Sequence, residues 1–500
     1  MDNFQINIMA WTYLGYFFLA GYIIALFYVT VFCIMQFHLL LHFLKKPKSN
    51  KETKTKGISE LPFITIQLPI FNEKYVVERL VDAITSFDYP KEKMEIHILD
   101  DSTDDTLEIS KAKTDQYKSE GFNIEVITRT DRVGFKAGAL KEGMKYAKGE
   151  FIAIFDADFL PSPDFLKEVL PSFNDPAVGV VQTRWDHINQ NYSLLTQLQA
   201  FQLNVHFTIE QKGREKADYL LQFNGTAGVW RKETIDSAGG WEADTLTEDL
   251  DLSYRAQLKG WKIKFLVDVL SPAELPAEIH GLKSQQHRWM KGGAETAKKL
   301  LPTIWNSHLP LRQKIHASTH LLSSSVFLFV FILGLFSVPL IFLLGNEAIN
   351  MSYLSAFLVG LLSLVFVYYV ANVKTAWKGE SKFLMLIKFL LIFPVFLSLS
   401  MGLSLHNSIA VLQGFRGKKS AFIRTPKYGI KSIKDSFSKA KYLNSSISGV
   451  TILEGLLAIF FAFASVSGYF LENYNFVIFH ILLAFGYGTT FYYSLKHLQS

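Results

Sequence analysis

The chain has 500 residues, 49% of them hydrophobic, with 43 phenylalanines, one cysteine and a formal net charge of +6. A single cysteine, Cys33, excludes an intrachain disulfide or a cysteine-rich metal site. The modest positive charge sits beside apolar segments and in no recognisable nucleic-acid module, which argues against nucleic acid as a partner.

In chain order, residues 10–44 are almost uncharged and long enough to span a bilayer with tilt. They are too long for a signal-peptide core and lack a preceding basic stretch. The Lys/Ser/Thr-rich residues 45–59 read as a linker. Residues 63–70 are an apolar, β-branched run and predict a strand. Residues 74–86 carry helical spacing through Val76, Val77, Leu80, Ala83 and Ile84. Strands follow at 94–100, 124–128, 151–155 and 178–182. Helical stretches fall at 104–119, with Asp104 placed to cap, and at 134–146. This alternation predicts a mostly parallel sheet with helices on both faces, whose ligands lie beyond the C-terminal strand ends.

Further candidate spans occupy about 319–345, 351–371, 449–471 and 475–494. Lysines follow the first span (Lys45, Lys46, Lys48, Lys51, Lys54, Lys56) and the third (Lys374, Lys378, Lys382), and Arg416, Lys418, Lys419, Arg424 and Lys427 precede the fourth. The connections 345–350 and 472–475 carry no Lys or Arg. The positive-inside rule then predicts an integral membrane protein with a cytoplasmic soluble domain, N-terminus outside and C-terminus inside. Residues 383–412 are apolar enough to span, yet both flanks are basic. The segment is expected to lie in the interface or re-enter, supported by Pro394, Gly402 and a polar run from Ser398 to Ser408. A sixth span would place the C-terminus outside.

Acidic residues close three apolar runs: Asp100-Asp101 after 94–99, Asp156-Ala157-Asp158 after 151–155, and Glu248-Asp249 just after Thr247. Carboxylates gathered at strand ends repel unless a cation or a proton offsets them. A sugar-nucleotide site needs such a set, with a divalent ion on the diphosphate and a free carboxylate as base. Solvated loop acids are the plain alternative for any one of them.

The ordered set Pro69-Ile70-Phe71-Asn72-Glu73, Asp100 to Asp104 (D-D-S-T-D), Lys136-Ala137-Gly138-Ala139-Leu140, Asp156-Ala157-Asp158, Thr247-Glu248-Asp249 and Gln285-Gln286-His287-Arg288-Trp289 resembles the processive family 2 glycosyltransferases. The likeness is to the cellulose synthase superfamily, most closely its cellulose-synthase-like glucan and mannan synthases, and covers about residues 60–430. It implies a type A α/β glycosyltransferase domain inserted into an α-helical transmembrane bundle. The boundaries expected are a transmembrane helix (1–44), the linker (45–59), a cytosolic transferase domain (60–300), an interfacial helix with two spans (301–371), an interfacial or re-entrant segment with a gating-loop motif (372–430) and two spans (431–500).

The resemblance also implies roles. Asp156 and Asp158 would hold Mg²⁺ or Mn²⁺ and the diphosphate. Glu73, Asp100 and Asp101 would face the nucleotide, and Lys136, at the start of a helix, would reach phosphate. Asp249 would be the general base, supported by Glu248, although Thr247-Glu248-Asp249 also suits a helix N-terminus. Gln285 and Arg288 would bind the diphosphate, with Arg288 able to do so bidentately. Trp289 would face the acceptor sugar, or serve as an interfacial anchor. Asn224, Gly225 and Thr226, with Trp185, match acceptor-side strands. Phe422, Thr425 and Lys427 match a gating loop that covers the nucleotide, with Arg424 where the common pattern has Val.

The expected activity is inverting polymerisation of a β-linked, β-1,4 glucan or mannan from UDP-glucose or GDP-mannose, with export through the chain's own bundle. The partners would be the nucleotide sugar, the growing glycan, the lipid bilayer and accessory export subunits. The alternative is a lipid glycosyltransferase acting on ceramide or a polyprenyl phosphate.

Overall fold

The computed structural model describes residues 2–45, 60–343, 357–377, 381–420, 423–430, 435 and 446–498. The linker 46–59 and Phe422 lie outside the described residues. Seven strands form one sheet: β1 (Ile64–Ile70), β2 (Met94–Asp100), β3 (Asn123–Ile127), β4 (Phe151–Ile154), β5 (Val178–His187), β6 (Gly228–Arg231) and β7 (Lys262–Ala273). Their order is β3-β2-β1-β4-β6-β5-β7. β3, β2, β1 and β4 are parallel, β6 runs antiparallel to both β4 and β5, and β7 is parallel to β5. The mostly parallel sheet is therefore as expected, although the sequence reading contained neither β6 nor β7.

Both faces of the sheet are covered, which explains why its strands read as apolar runs rather than alternations. Along β4, Phe151 and Ala153 pack on one side with Leu80 and Ile84 of the helix Val77–Thr85. Ile152 and Ile154 pack on the other with Leu140 and Leu252, from the helices Phe135–Gly143 and Glu248–Leu258. Adjacency of β2, β1 and β4 brings three loops to one edge: Phe71–Glu73 after β1, Asp101 after β2 and Asp156–Asp158 after β4.

Among the described residues, six helices are long and apolar enough to cross a membrane: Trp11–Leu44, Ser323–Leu343, Leu358–Ala376, Lys382–Gly402, Gly449–Phe470 and Tyr474–Lys496. Five match the expected spans, and the additional one comes from 383–412. That segment is a helix Lys382–Gly402, a break at Leu403 and a second helix Ser404–Phe415. Near its start, Phe389 packs on Phe201 of the helix Leu194–Val205 (centroids 6.0 Å apart). Near its end, Gln413 lies 3.1 Å from His287 on the long helix Ile279–Asn306. At the break, Gly402 fits so closely against Gly486 that a Cβ there would lie 2.3 Å from the Gly486 carbonyl. A buried ion pair, Lys283 Nζ to Glu454 Oε2 at 2.5 Å, ties the helix Ile279–Asn306 to Gly449–Phe470.

Candidate active site

The acids at the strand ends are neutralised by lysines from distant parts of the chain. Lys136, in the first turn of Phe135–Gly143, donates to Asp156 Oδ1 (2.5 Å) and to the Gly225 carbonyl (2.9 Å). Burial alone would lower the Lys136 pKa, but Asp156, Glu248 and Asp249 outweigh it and the ammonium is held charged. Asp158 accepts from Lys427 Nζ at 2.6 Å, with both side chains almost fully buried. Glu73 is pushed up to about 7, chiefly by burial, with Arg424 opposing that rise. Arg424 Nε lies 3.3 Å from Glu73 Oε1, and the same guanidinium donates to the Asn72 carbonyl at 2.5 Å.

The acidic pair after β2 divides. Asp101 lines the cavity and pairs with Arg129, whose Nε donates to Oδ1 at 3.0 Å. Asp100 is buried and turned inward: its Oδ1 accepts from the Ser102 N–H (2.8 Å) and its Oδ2 from the Ser110 hydroxyl (2.7 Å). The expectation that Asp100 faces the nucleotide is corrected accordingly. Its carboxylate is consumed in bracing the loop and the helix Thr106–Ser119.

Asp249 occupies the first turn of Glu248–Leu258 and accepts from the Leu250 N–H at 2.8 Å. Thr247 does not cap that helix with its side chain; its hydroxyl meets Thr296 at 3.1 Å. Burial raises the Asp249 pKa to about 7, the adjacent Glu248 adds to the rise, and Lys136 opposes it. Glu248 is likewise raised by burial, against the pull of Lys136 and Arg288. Arg288 loses basicity to burial but lies in the field of Asp156, Glu248, Asp249 and Asp158, a guanidinium surrounded by acids. Gln285, Arg288 and Trp289 all line the cavity, as do Trp185, Asn224 and Gly225.

Thr226 does not line the cavity. It is fully buried and its hydroxyl accepts from the Asp156 N–H at 2.8 Å, so it supports the acid rather than the acceptor. Gly225 has φ +80°, and a Cβ there would stand 3.0 Å from Asp249 Oδ2 and 3.4 Å from Lys136 Nζ. Gly225→Ala is expected to cut sugar transfer by more than about tenfold, because strain of roughly 1–3 kcal/mol arises directly against the Asp249 carboxylate. Thermal unfolding of the purified variant, within a few degrees of wild type, would show that the loss is local.

Residues 423–430 lie over these acids. Thr425 and Lys427 are buried in the cavity wall, and Tyr428 and Gly429 donate backbone N–H groups to the Glu274 carboxylate at 2.9 and 3.1 Å. Glu274 also pairs with Arg79 at 2.8 Å and its carbonyl accepts from Lys427. Thr425 and Lys427, two residues of the gating-loop motif, line the cavity, and Arg424 contacts the Glu73 loop. Sequence reasoning missed Glu274, Arg129, and Arg132, whose guanidinium stacks 3.2 Å over the Phe71 ring at the cavity wall.

Asp156 and Asp158 fit a divalent cation by chemistry. Two carboxylates share one cavity, and each is compensated by an ammonium at about ion-pair contact. The other convergent acids, Glu242, Asp244 and Asp251, already share the Lys299 ammonium at 2.6, 2.8 and 3.0 Å. One cavity of about 1050 Å³ holds Asp156, Asp249 and Trp289 and continues to Cys33, Tyr368 and Phe476 among the membrane helices.

Residues 62–292 match the family described as glycosyltransferase like family 2. Among curated proteins the chain is 41% identical over 266 residues to glucomannan 4-beta-mannosyltransferase 1 of Oryza sativa subsp. japonica, covering 52% of this chain and 51% of that one. It is 42% identical over 253 residues to glucomannan 4-beta-mannosyltransferase 2 of Arabidopsis thaliana, covering 50% and 47%. The chain spans about half the length of the curated relatives it matches. Among solved structures it resembles a mannosyltransferase from Pyrobaculum calidifontis in complex with GDP-Man and Mn²⁺, with TM-score 0.53, 20% identity, 73% of this chain and 100% of that one covered. At that identity the likeness speaks to the fold alone, and it is the type A transferase fold expected.

Proposed function

We propose that this chain, whose residues 62–292 form a family 2 glycosyltransferase domain of the cellulose-synthase-like type, polymerises a β-1,4-linked mannan or glucan from a nucleotide sugar. The single observation that carries this reading is the cavity shared by the transferase acids and the membrane helices. A polymer needs both a transfer site and a path continuous with it, whereas transfer of one sugar to a lipid needs no such path. The relatives' names favour mannose, and hence GDP-mannose, over UDP-glucose as donor.

In the proposed reaction the acceptor hydroxyl oxygen forms a bond to the anomeric carbon of the donor as the bond from that carbon to the diphosphate oxygen breaks. Asp249 takes the hydroxyl proton; its pKa near 7 makes it a base of useful strength at neutral pH. Lys136 and Arg288 stabilise the charge left on the diphosphate. Asp156 and Asp158 would hold Mg²⁺ or Mn²⁺, which supplies further charge neutralisation there when bound. Trp289 offers a flat apolar face to the acceptor ring. Lys427 must leave Asp158 for the site to load, so residues 423–430 serve as a lid that opens and closes once per addition.

The basic flanks of the apolar helices support a cytoplasmic transferase domain, with the N-terminus outside and the C-terminus inside. Contacts from both ends of Lys382–Phe415 to the helices Leu194–Val205 and Ile279–Asn306 support a segment that enters and returns without crossing. The growing glycan and accessory export subunits are the remaining partners. The test is purified protein in lipid, supplied with labelled GDP-mannose or UDP-glucose. A long product, resistant to organic extraction and cut by an endo-β-1,4-mannanase or glucanase, is expected. An extractable monoglycosyl lipid as sole product would overturn the polymer reading.

A further inference from the structure

Behind the acceptor side of the cavity, the helix Leu194–Val205 runs into one π-helical turn, His206–Glu210, before continuing as Gln211–Ala217. π-turns are rare and concentrate at functional sites. This one joins two residues on the acceptor side that are distant in sequence. His206 Nε2 lies 2.8 Å from Asn224 Oδ1, and its Nδ1 lies 2.9 Å from Glu210 Oε2. Phe207, the next residue, stacks on Trp185 with centroids 4.7 Å apart and planes 27° apart. His206, Phe207, Glu210, Asn224 and Trp185 all line the same cavity.

The hydrogen-bond arithmetic makes His206 more than a neighbour of Asn224. Both ring nitrogens face an oxygen, so either the ring carries both protons or the Asn224 amide is reversed and donates to Nε2. In either case the imidazole fixes the plane of the Asn224 amide. The Asn224 backbone N–H is held independently by Gln182 Oε1 at 2.8 Å. In the orientation with Oδ1 on His206, Asn224 Nδ2 is buried and has no hydrogen-bond partner among the described residues, and Asn224 directly precedes Gly225, which lies against Asp249. Glu210 in turn anchors the ring. Burial works against its charge, but Arg214, 3.4 Å away, and His206 hold its pKa well below the usual carboxylate range.

We propose that the π-turn His206–Glu210 positions the acceptor: His206 orients Asn224 and Phe207 backs Trp185, so that the terminal sugar is held with a hydroxyl at Asp249. His206 and Phe207 are positioning residues for the reaction proposed above, and the inference rests on that reading. It assigns the acceptor subsite to this turn and leaves the nucleotide subsite independent of it. The donor groups Lys136 and Asp156 bond to each other, and Lys136 to the Gly225 carbonyl, whereas His206 bonds to the Glu210 and Asn224 side chains.

The test uses the full chain in lipid nanodiscs, with His206→Ala, His206→Gln and Phe207→Leu beside wild type. Calorimetry measures binding of a β-1,4-linked mannohexaose and of GDP, and kinetics measure KM for each substrate. His206→Ala and Phe207→Leu are expected to weaken hexaose binding and raise its KM by about tenfold, the usual size of a lost buried hydrogen bond or packed face. GDP affinity, donor KM and acceptor-free hydrolysis of GDP-mannose should stay within twofold. His206→Gln, which keeps a side-chain N–H for Asn224, should recover part of the loss. Equal loss of GDP and hexaose binding would make the turn merely structural and overturn the inference, as would unchanged hexaose affinity in a wild-type-active background. Wild-type protein that binds neither hexaose nor cello-oligosaccharide would overturn both this inference and the polymerising function beneath it.

Discussion

Asp249→Asn is expected to reduce sugar transfer by about 10²–10⁴-fold while nucleotide binding survives, the usual worth of a positioned general base. The amide is nearly isosteric, so Gly225 and Lys136 keep their places, and only proton acceptance is lost. The pH profile gives a second, independent reading. With its pKa raised to about 7, the Asp249 carboxyl is protonated in acid and cannot accept a proton. Wild-type kcat/KM should therefore fall as pH drops through about 7, and the residual rate of the variant should lack that limb. Glu73 is raised to a similar value, so Glu73→Gln is the control: it should retain the limb if Asp249 is its source. More than about a tenth of wild-type turnover in Asp249→Asn would remove Asp249 from this role, given the contribution expected of such a base.

Chelation of divalent cations is expected to abolish transfer, with recovery on adding Mg²⁺ or Mn²⁺. In the structure the Asp156 and Asp158 carboxylates are balanced by Lys136 and Lys427. In the lid motion proposed above, Lys427 would be withdrawn and Asp158 would face an incoming diphosphate of like charge; a divalent cation removes that repulsion. Asp158→Asn should accordingly weaken binding of the metal–nucleotide pair, while Lys427→Ala should leave metal affinity intact or raised, because it removes the ammonium that competes for Asp158. Equilibrium dialysis of Mn²⁺ with each variant measures this directly. Full activity in excess chelator, or lowered Mn²⁺ affinity in Lys427→Ala, would assign Asp158 to lid closure alone.

Much of this site was legible before any fold was known. Asp156 and Asp158 follow a parallel strand, and parallel strands can deliver their ends only to one edge of a sheet; Asp249, Arg288 and Trp289, which lie on helices, were marked by their motifs alone. The apolar lengths of the spans, and the basic flanks of 383–412, were equally plain in the residues. Strand β6 escaped because four residues carry no period, and β7 because Lys262, Lys264 and Asp268 break its apolar run.

What the residues alone determined, then, was the chemistry and its order along the chain: which acids, which cations, which aromatic rings, and how many apolar segments. Which neighbour faces the cavity was decided only by tertiary structure. Asp100 and Asp101 are adjacent, and successive side chains at a strand end point to opposite sides. Every residue of β2 is buried, so no alternation marks the phase. Its register against β1, with Asp100 opposite Ile70, turns Asp100 inward and leaves Asp101 to the cavity. The same holds for Thr226, turned to the Asp156 N–H, and for Arg424, which finds Glu73 across some 351 residues of chain. His206 reaches Asn224 only because a π-turn rotates a helix packed on several sides, where burial has erased the amphipathic pattern that sequence reading depends on.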